Sequence, residues 1–148
     1  MLRLSRKTLF AIEAVLDIAY HAGAQPVQSR EITRRQGIPR RYLEQALQNL
    51  VRGGVLVGVR GPRGGYRLAR ERRRISVGEI IRAVRNSDDD PLVETGSPLG
   101  RKVVRPLWLE MQGALLSRLD DVTMDDLCIR ADRQGIVSEG RNNLDFSI

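Results

Sequence analysis

Between Val55 and Leu68 the chain reads VLVGVRGPRGGYRL, a stretch in which side chains alternate across two faces. Val55, Val57 and Val59 share one face, Leu56 and Arg60 take the other, and Tyr66 and Leu68 flank Arg67 on the return, which is the period of a strand. Gly61, Pro62, Arg63, Gly64 and Gly65 between the two runs supply the conformational freedom and the fixed φ of a tight reversal. The pattern predicts a hairpin with an apolar inner face and with Arg60 and Arg63 at its tip. Upstream the period becomes helical. Ser29 is placed to cap a short helix from Arg30 to Gln36 that stops at Gly37, and Pro39 opens a second helix running to about Arg52. In that second helix Leu43, Ala46, Leu47 and Leu50 recur at i, i+3, i+4 and i+7, so this face is expected to be buried. Arg41, Gln45, Gln48 and Arg52 line the opposite stripe, with Arg40 and Glu44 beside it.

Elsewhere the same periodicity predicts four more helices and a connector. Leu9, Ile12, Leu16 and Ala19 give a first helix ending near Gly23, expected to pack behind the helix-turn-helix. Ser76-Val-Gly-Glu79 is a capping box with Ile75 and Ile80 as its hydrophobic staple, which starts a helix reaching Val84 or Arg85. From Asn86 to Arg105 the composition turns to Ser, Asp, Pro and Gly and predicts a loop or hinge. Pro106 suits the first position of a helix in which Trp108, Met111, Leu115, Leu119 and Val122 recur on one side, widened by Leu107, Ala114 and Leu116. So broad an apolar surface predicts a pairing helix between two subunits. Thr123 caps a last helix through Asp132, with Asp125 and Asp126 favourably placed in its first turn. The expected fold is mostly α with a small β wing: a winged helix-turn-helix over 1–85, a hinge over 86–105, a dimerisation helix and short final helix over 106–134, and a tail over 135–148, either mobile or a minor contact arm.

A chain of 148 residues can build one domain with a real core plus an assembly element. Its net charge of +7 is unevenly placed. Residues 28–74 hold 13 arginines against 3 acids, a local excess of +10, whereas residues 75–148 carry a net −4. The basicity therefore belongs to the helix-turn-helix and wing, the footprint of phosphate binding. Within it, Arg40, Arg41, Glu44, Gln45 and Gln48 are the side chains that can read base edges in a major groove, and an arginine-tipped hairpin suits a narrow minor groove. Arg60, Arg63, Arg67 and Arg73 complete the candidate DNA-binding set. The run Arg70 to Arg74 has two open readings, a solvated connector or a phosphate contact. One cysteine, Cys128, excludes an internal disulfide, and one histidine, His21, leaves no soft-ligand zinc set. With no apolar run of membrane-spanning length and no signal segment, a soluble cytoplasmic protein is expected. No nucleophile sits beside a base, no phosphate-loop lysine follows Gly61 to Gly65, and no dinucleotide glycine pattern occurs, so an enzyme is not expected. The scarcity of aromatics disfavours a stacking RNA binder, and a non-transcriptional interaction module is the alternative from another class.

The order of elements, with LSRKTLFAIEAVLDIA, GIPRRYLEQAL, VRGPRGGYRL and ISVGEIIRAV, resembles the Rrf2 family of bacterial winged helix-turn-helix transcription regulators. Tyr42-Leu-Glu-Gln45 and Arg60-Gly-Pro-x-Gly-Gly-Tyr66 carry the resemblance most specifically, and it spans roughly residues 2 to 128. It implies a homodimer joined through the helix after Pro106 and reading a palindromic promoter site on double-stranded DNA, most often as a repressor. Arg41, Glu44 and Gln45 fall where the family contacts bases in the major groove, and Arg60 where it enters the minor groove. Cluster-binding members hold an iron-sulfur centre with three cysteines in the loop before the dimer helix, but residues 86–106 here contain neither Cys nor His. Some members add an acid near the start of the partner's first helix; Thr8, Leu9 and Phe10 stand there, with Glu13 a turn later. No cofactor is therefore expected, and control would come from a small-molecule effector, a metabolic partner enzyme or oxidation at Cys128. Two readings of Cys128 stay open: a small buried apolar residue, or a cluster ligand or redox-active thiol.

Overall fold

The computed structural model describes residues 5–85 and 96–140, and its core forms around the first helix. Helix α1 (Arg6–Tyr20) packs against the two helices that follow, the return strand of the wing and two later helices. Ser5 caps it through a hydrogen bond from the Thr8 amide to its hydroxyl. The inward face is Ala11, Ala14, Val15, Ile18 and Ala19, not the expected face, for Leu9 is exposed and Ile12 and Leu16 are half-buried. The small side chains explain the choice, since Ala11 and Ala14 let neighbouring helices approach closely. Helix α2 (Ser29–Gln36) begins at the expected cap, one residue earlier than expected. Gln28 is the capping position, its N–H donating to the Glu31 carboxylate at 3.4 Å, and Ser29 is the first helical residue. Helix α3 (Arg40–Arg52) follows after Gly37, and Leu43, Ala46, Leu47 and Leu50 are buried as its periodicity requires.

The hairpin pairs β1 (Leu56–Val59) antiparallel to β2 (Gly65–Leu68), with Leu56 opposite Leu68 and Gly58 opposite Tyr66. Its inner face is the reverse of the expected one: Leu56 is buried, whereas Val57 and Val59 are exposed. Val55, although fully buried, precedes the strand and does not set its phase. Val27 exchanges two backbone hydrogen bonds with Tyr66, at 3.0 and 2.8 Å, so the wing is tied to the start of the helix-turn-helix. At the reversal a Cβ on Gly64 would collide with the Val59 carbonyl, so only glycine fits that close approach.

After a 3₁₀ turn at Arg72–Arg74, helix α4 (Val77–Val84) is capped by the Ser76 hydroxyl, which accepts from the Glu79 amide at 3.1 Å. Glu79 does not reach back as a full capping box would; its carboxylate pairs with Arg70. Ile75 and Ile80 are both fully buried at this entry. Of the expected hinge, residues 86–95 lie outside the described ones, and from Pro98 onward the chain is already helical. A π-helical stretch at Gly100–Val104 leads into α5 (Arg105–Leu119), with Pro106 in its first turn. Proline has no N–H and crowds the carbonyl four residues back, and a wider π turn ahead of it lets a helix pass through instead of starting there. Helix α6 (Met124–Arg133) has the full capping box, Thr123 and Asp126 bonding each other's amides at 3.1 and 3.0 Å. Among the described residues of the expected tail, Ser138 and Gly140 are buried, which favours the contact arm over the mobile alternative for this stretch; residues 141–148 lie outside the described ones.

Candidate nucleic-acid interface

Three elements meet at one open groove of about 600 Å³. Gln28, Ser29, Arg30 and Thr33 come from the start of α2, Arg40, Leu43 and Glu44 from α3, and Pro62, Gly64, Gly65 and Tyr66 from the wing. Burying Leu43, Ala46, Leu47 and Leu50 on one side of α3 leaves Arg40, Arg41, Glu44, Gln45, Gln48 and Arg52 exposed on the other. Some of these side chains are held before any ligand arrives. Arg40 pairs with Glu44 at 2.9 Å, one helical turn on. Arg41 lies over the Tyr42 ring, 4.7 Å from its centroid, and donates to the phenol oxygen at 2.8 Å. That hydrogen bond is the main cause holding the Tyr42 phenol below its usual pKa. Phe10 backs the ring at 6.0 Å between centroids, which ties this corner of α3 to α1. Both ion and ring contacts are exposed, so they orient the side chains at little energetic cost to release.

The wing arginines divide. Arg60 and Arg63 are exposed at the tip, whereas Arg67 is exposed on the valine side of β2 and donates to the Ala24 carbonyl at 3.0 Å. Arg73 is not part of the groove: it pairs with Glu71 at 2.7 Å and lines a separate depression with Tyr20, Asp125 and Ser138. Arg30 and Thr33 were not singled out by pattern, and their only signal was their place in the first helix of a helix-turn-helix.

The candidate dimerisation residues also divide. Helix α5 contains no buried residue; Met111 and Leu115 are exposed, as are Leu107 and Leu109, and Trp108 is half-buried. Leu119 and Val122 pack partly against the protomer's own core, and Val122 lies beyond the helix end. Among the described residues no helix is long and apolar enough to cross a membrane.

A family model, Rrf2, described as an iron-dependent transcriptional regulator, matches residues 4–130. The chain belongs to the Rrf2 family. It is similar to the HTH-type transcriptional regulator IscR of Vibrio atlanticus, with 33% identity over 150 aligned positions covering 99% of this chain and 86% of that protein. Among solved structures it resembles T. potens IscR at 34% identity, TM-score 0.73 and 93% coverage of both chains. It also resembles CymR, the global cysteine regulator of B. subtilis, at 28% identity, TM-score 0.68, and coverage of 88% of this chain and 98% of that one. The protein is accordingly a DNA-binding helix-turn-helix transcriptional regulator of the Rrf2 type, as its relatives are, and not an enzyme.

The donor set for an iron-sulfur centre does not match the one found in cluster-binding Rrf2 proteins. The sole cysteine, Cys128, lies inside α6 at 2% exposure, and among the described residues no three His, Cys, Asp or Glu side chains converge on a metal position. Burial pushes the Cys128 thiol above its usual pKa, against the opposing effect of nearby Arg72, so the thiolate needed for ligation is disfavoured.

Proposed function

We propose that the protein is a homodimeric, cluster-free repressor that reads a palindromic promoter site, with α3 in the major groove and Arg60 of the wing in the adjacent minor groove. The observation that carries this reading is the groove itself, where the start of α2, Arg40 and Glu44 of α3 and the glycine-rich wing meet, with Arg41, Gln45 and Gln48 exposed on the same helix. Gln45 and Gln48 offer paired donor and acceptor groups to base edges, Arg41 and Glu44 recognise opposite hydrogen-bond patterns, and exposed Arg30 and Arg40 flank them for phosphates. The exposed apolar side of α5 supplies the self-complementary surface that a two-fold operator requires. With Cys128 buried and alone, binding needs no iron, and control falls to a small-molecule effector or a partner protein.

Gln45→Ala and Arg60→Ala are expected to lose about 1–3 kcal/mol each on the cognate duplex and to relax base preference at the positions they touch. Arg73→Ala, its side chain outside the groove and already paired with Glu71, is expected to leave base preference intact. Fluorescence anisotropy on cognate and base-substituted duplexes checks all three; equal losses for Gln45→Ala on cognate and random DNA would contradict the base contact.

A further inference from the structure

The segment after α6 is fastened to the DNA-reading half of the chain by contacts more than one hundred residues apart in sequence. The Tyr20 phenol donates to the Ile136 carbonyl, and the Ser138 hydroxyl donates to the Tyr20 carbonyl at 2.7 Å. The Glu139 amide donates to His21 Nδ1 at 3.0 Å. The Glu139 carboxylate accepts from Arg34 at 2.8 Å and Arg35 at 2.7 Å. Gly140 lies so close to the Ala22 carbonyl that a Cβ would collide with it. Ordering an irregular segment costs backbone entropy at every residue, so this density of specific bonds is needed to keep it docked.

What the segment grips is the far end of α2. The start of that helix lines the groove, while Arg34 and Arg35 near its end are taken by Glu139, and Arg35 is held on its other side by buried Asp17 of α1 at 2.8 and 2.9 Å. We propose that residues 136–140 form a strap that sets the position of α2 for DNA binding, with Glu139 as a positioning residue and His21 as a proton-sensitive clasp. This rests on the groove being the DNA-reading face. Because the strap continues from α6, it links the half of the chain that carries the pairing helix to the half that reads DNA.

The clasp follows from the direction of one hydrogen bond. His21 Nδ1 accepts from the Glu139 amide, so the docked ring is neutral, with its proton on Nε2. Protonation at Nδ1 would set two N–H groups against each other. The groups facing His21 are Asp17 and Tyr20 of α1, Arg34 and Arg35 of α2, and Glu139 of the strap. Burial depresses the His21 pKa, with Arg35 and Arg34 acting the same way and Asp17 and Glu139 opposing. Because the docked ring must accept at Nδ1, docking selects the neutral imidazole, so the strap is fully favoured above the ordinary histidine range and progressively released as pH falls through that range. His21 is the sole histidine, so between pH 7.5 and 5.5 no second imidazole confuses the readout.

The test compares wild type, Glu139→Gln and His21→Asn by anisotropy on the wild type's preferred duplex and on random DNA at pH 7.5 and 5.5. Hydrogen exchange of the strap amides without DNA is measured in parallel, with sedimentation to report the oligomeric state. Glu139→Gln should lose strap protection and weaken the preferred duplex by about fivefold or more, the lower range for coupled sites, with its oligomeric state unchanged. Wild type should show the same loss at pH 5.5. Asparagine keeps an acceptor near the Nδ1 position and cannot be protonated in this range, so His21→Asn should hold its affinity across both pH values. Strap release in Glu139→Gln with unchanged affinity would overturn the positioning role, and an undiminished pH effect in His21→Asn would overturn the clasp. If wild type itself prefers no duplex, the DNA-reading assignment fails and takes the proposal with it, an outcome distinct from any confined to the variants.

Discussion

Leu115→Asp should convert the protein into a monomer that has lost site-specific DNA binding. Leu115 is 36% exposed, Met111 48% and Leu107 54%, and their four-residue spacing sets them on one side of a helix that contains no fully buried residue. Leaving so contiguous an apolar surface in water is unfavourable, and pairing with a second copy removes it. A carboxylate at Leu115 would have to be buried without a partner in that interface, while the protomer's own core is untouched because Leu115 is not part of it. Leu119→Asp is a poorer probe, since Leu119 packs partly on the protomer core and the change would also weaken the fold. With two half-sites no longer bound as one unit, affinity for the full site should fall roughly 10²-fold or more. Sedimentation equilibrium and anisotropy read both effects, and a Leu115→Asp protein that remains dimeric would remove α5 from the interface.

Asp17→Ala should cost about 3 kcal/mol or more of folding stability, because it removes the buried partner of Arg35 and leaves that charge to Glu139 at the surface side. Asp17 is 2% exposed and accepts two hydrogen bonds from Arg35 and one from Gln36 at 2.8 Å. The Arg35 side chain is itself only 9% exposed. Its guanidinium is held above the usual arginine pKa chiefly by the hydrogen bond to Asp17 and against the pull of burial; without Asp17 that support is lost, but a guanidinium is too basic to shed its proton and keeps its charge. For a chain of this size the melting temperature should fall by roughly 6–12 °C. The double variant Asp17→Leu with Arg35→Met, which removes both charges, should regain much of that loss. Calorimetry decides it: a single variant as stable as wild type would show that the pair adds nothing to the fold.

Where the pattern was narrow it was legible in the sequence. Leu43, Ala46, Leu47 and Leu50 allow one burial phase only, so α3 and its polar stripe could be read directly, as could the hairpin around Gly61 to Gly65. In α1 the apolar residues run almost all the way round, from Leu9 through Ile18, so periodicity had no unique phase and the small residues decided it. In the wing three valines outvoted Leu56, but core shape and the Val27 pairing, neither visible locally, turned Leu56 inward. Pro106 marked a helix start by its usual preference, and the π turn that lets the helix run through it leaves no local signature. The strap was illegible for a different reason: Ser138, Glu139 and Gly140 have no periodicity, and their partners lie on α1, α2 and the short turn after α1.

Selection from a random duplex library by the wild-type protein in chelator-treated buffer tests the central claim most directly. The expected result is an imperfect palindrome with half-sites about one helical turn apart, selected by a colourless dimer. Failure to enrich any sequence would contradict DNA reading by this groove. Enrichment only after anaerobic reconstitution with iron and sulfide, with a visible chromophore that Cys128→Ser abolishes, would contradict the cluster-free account.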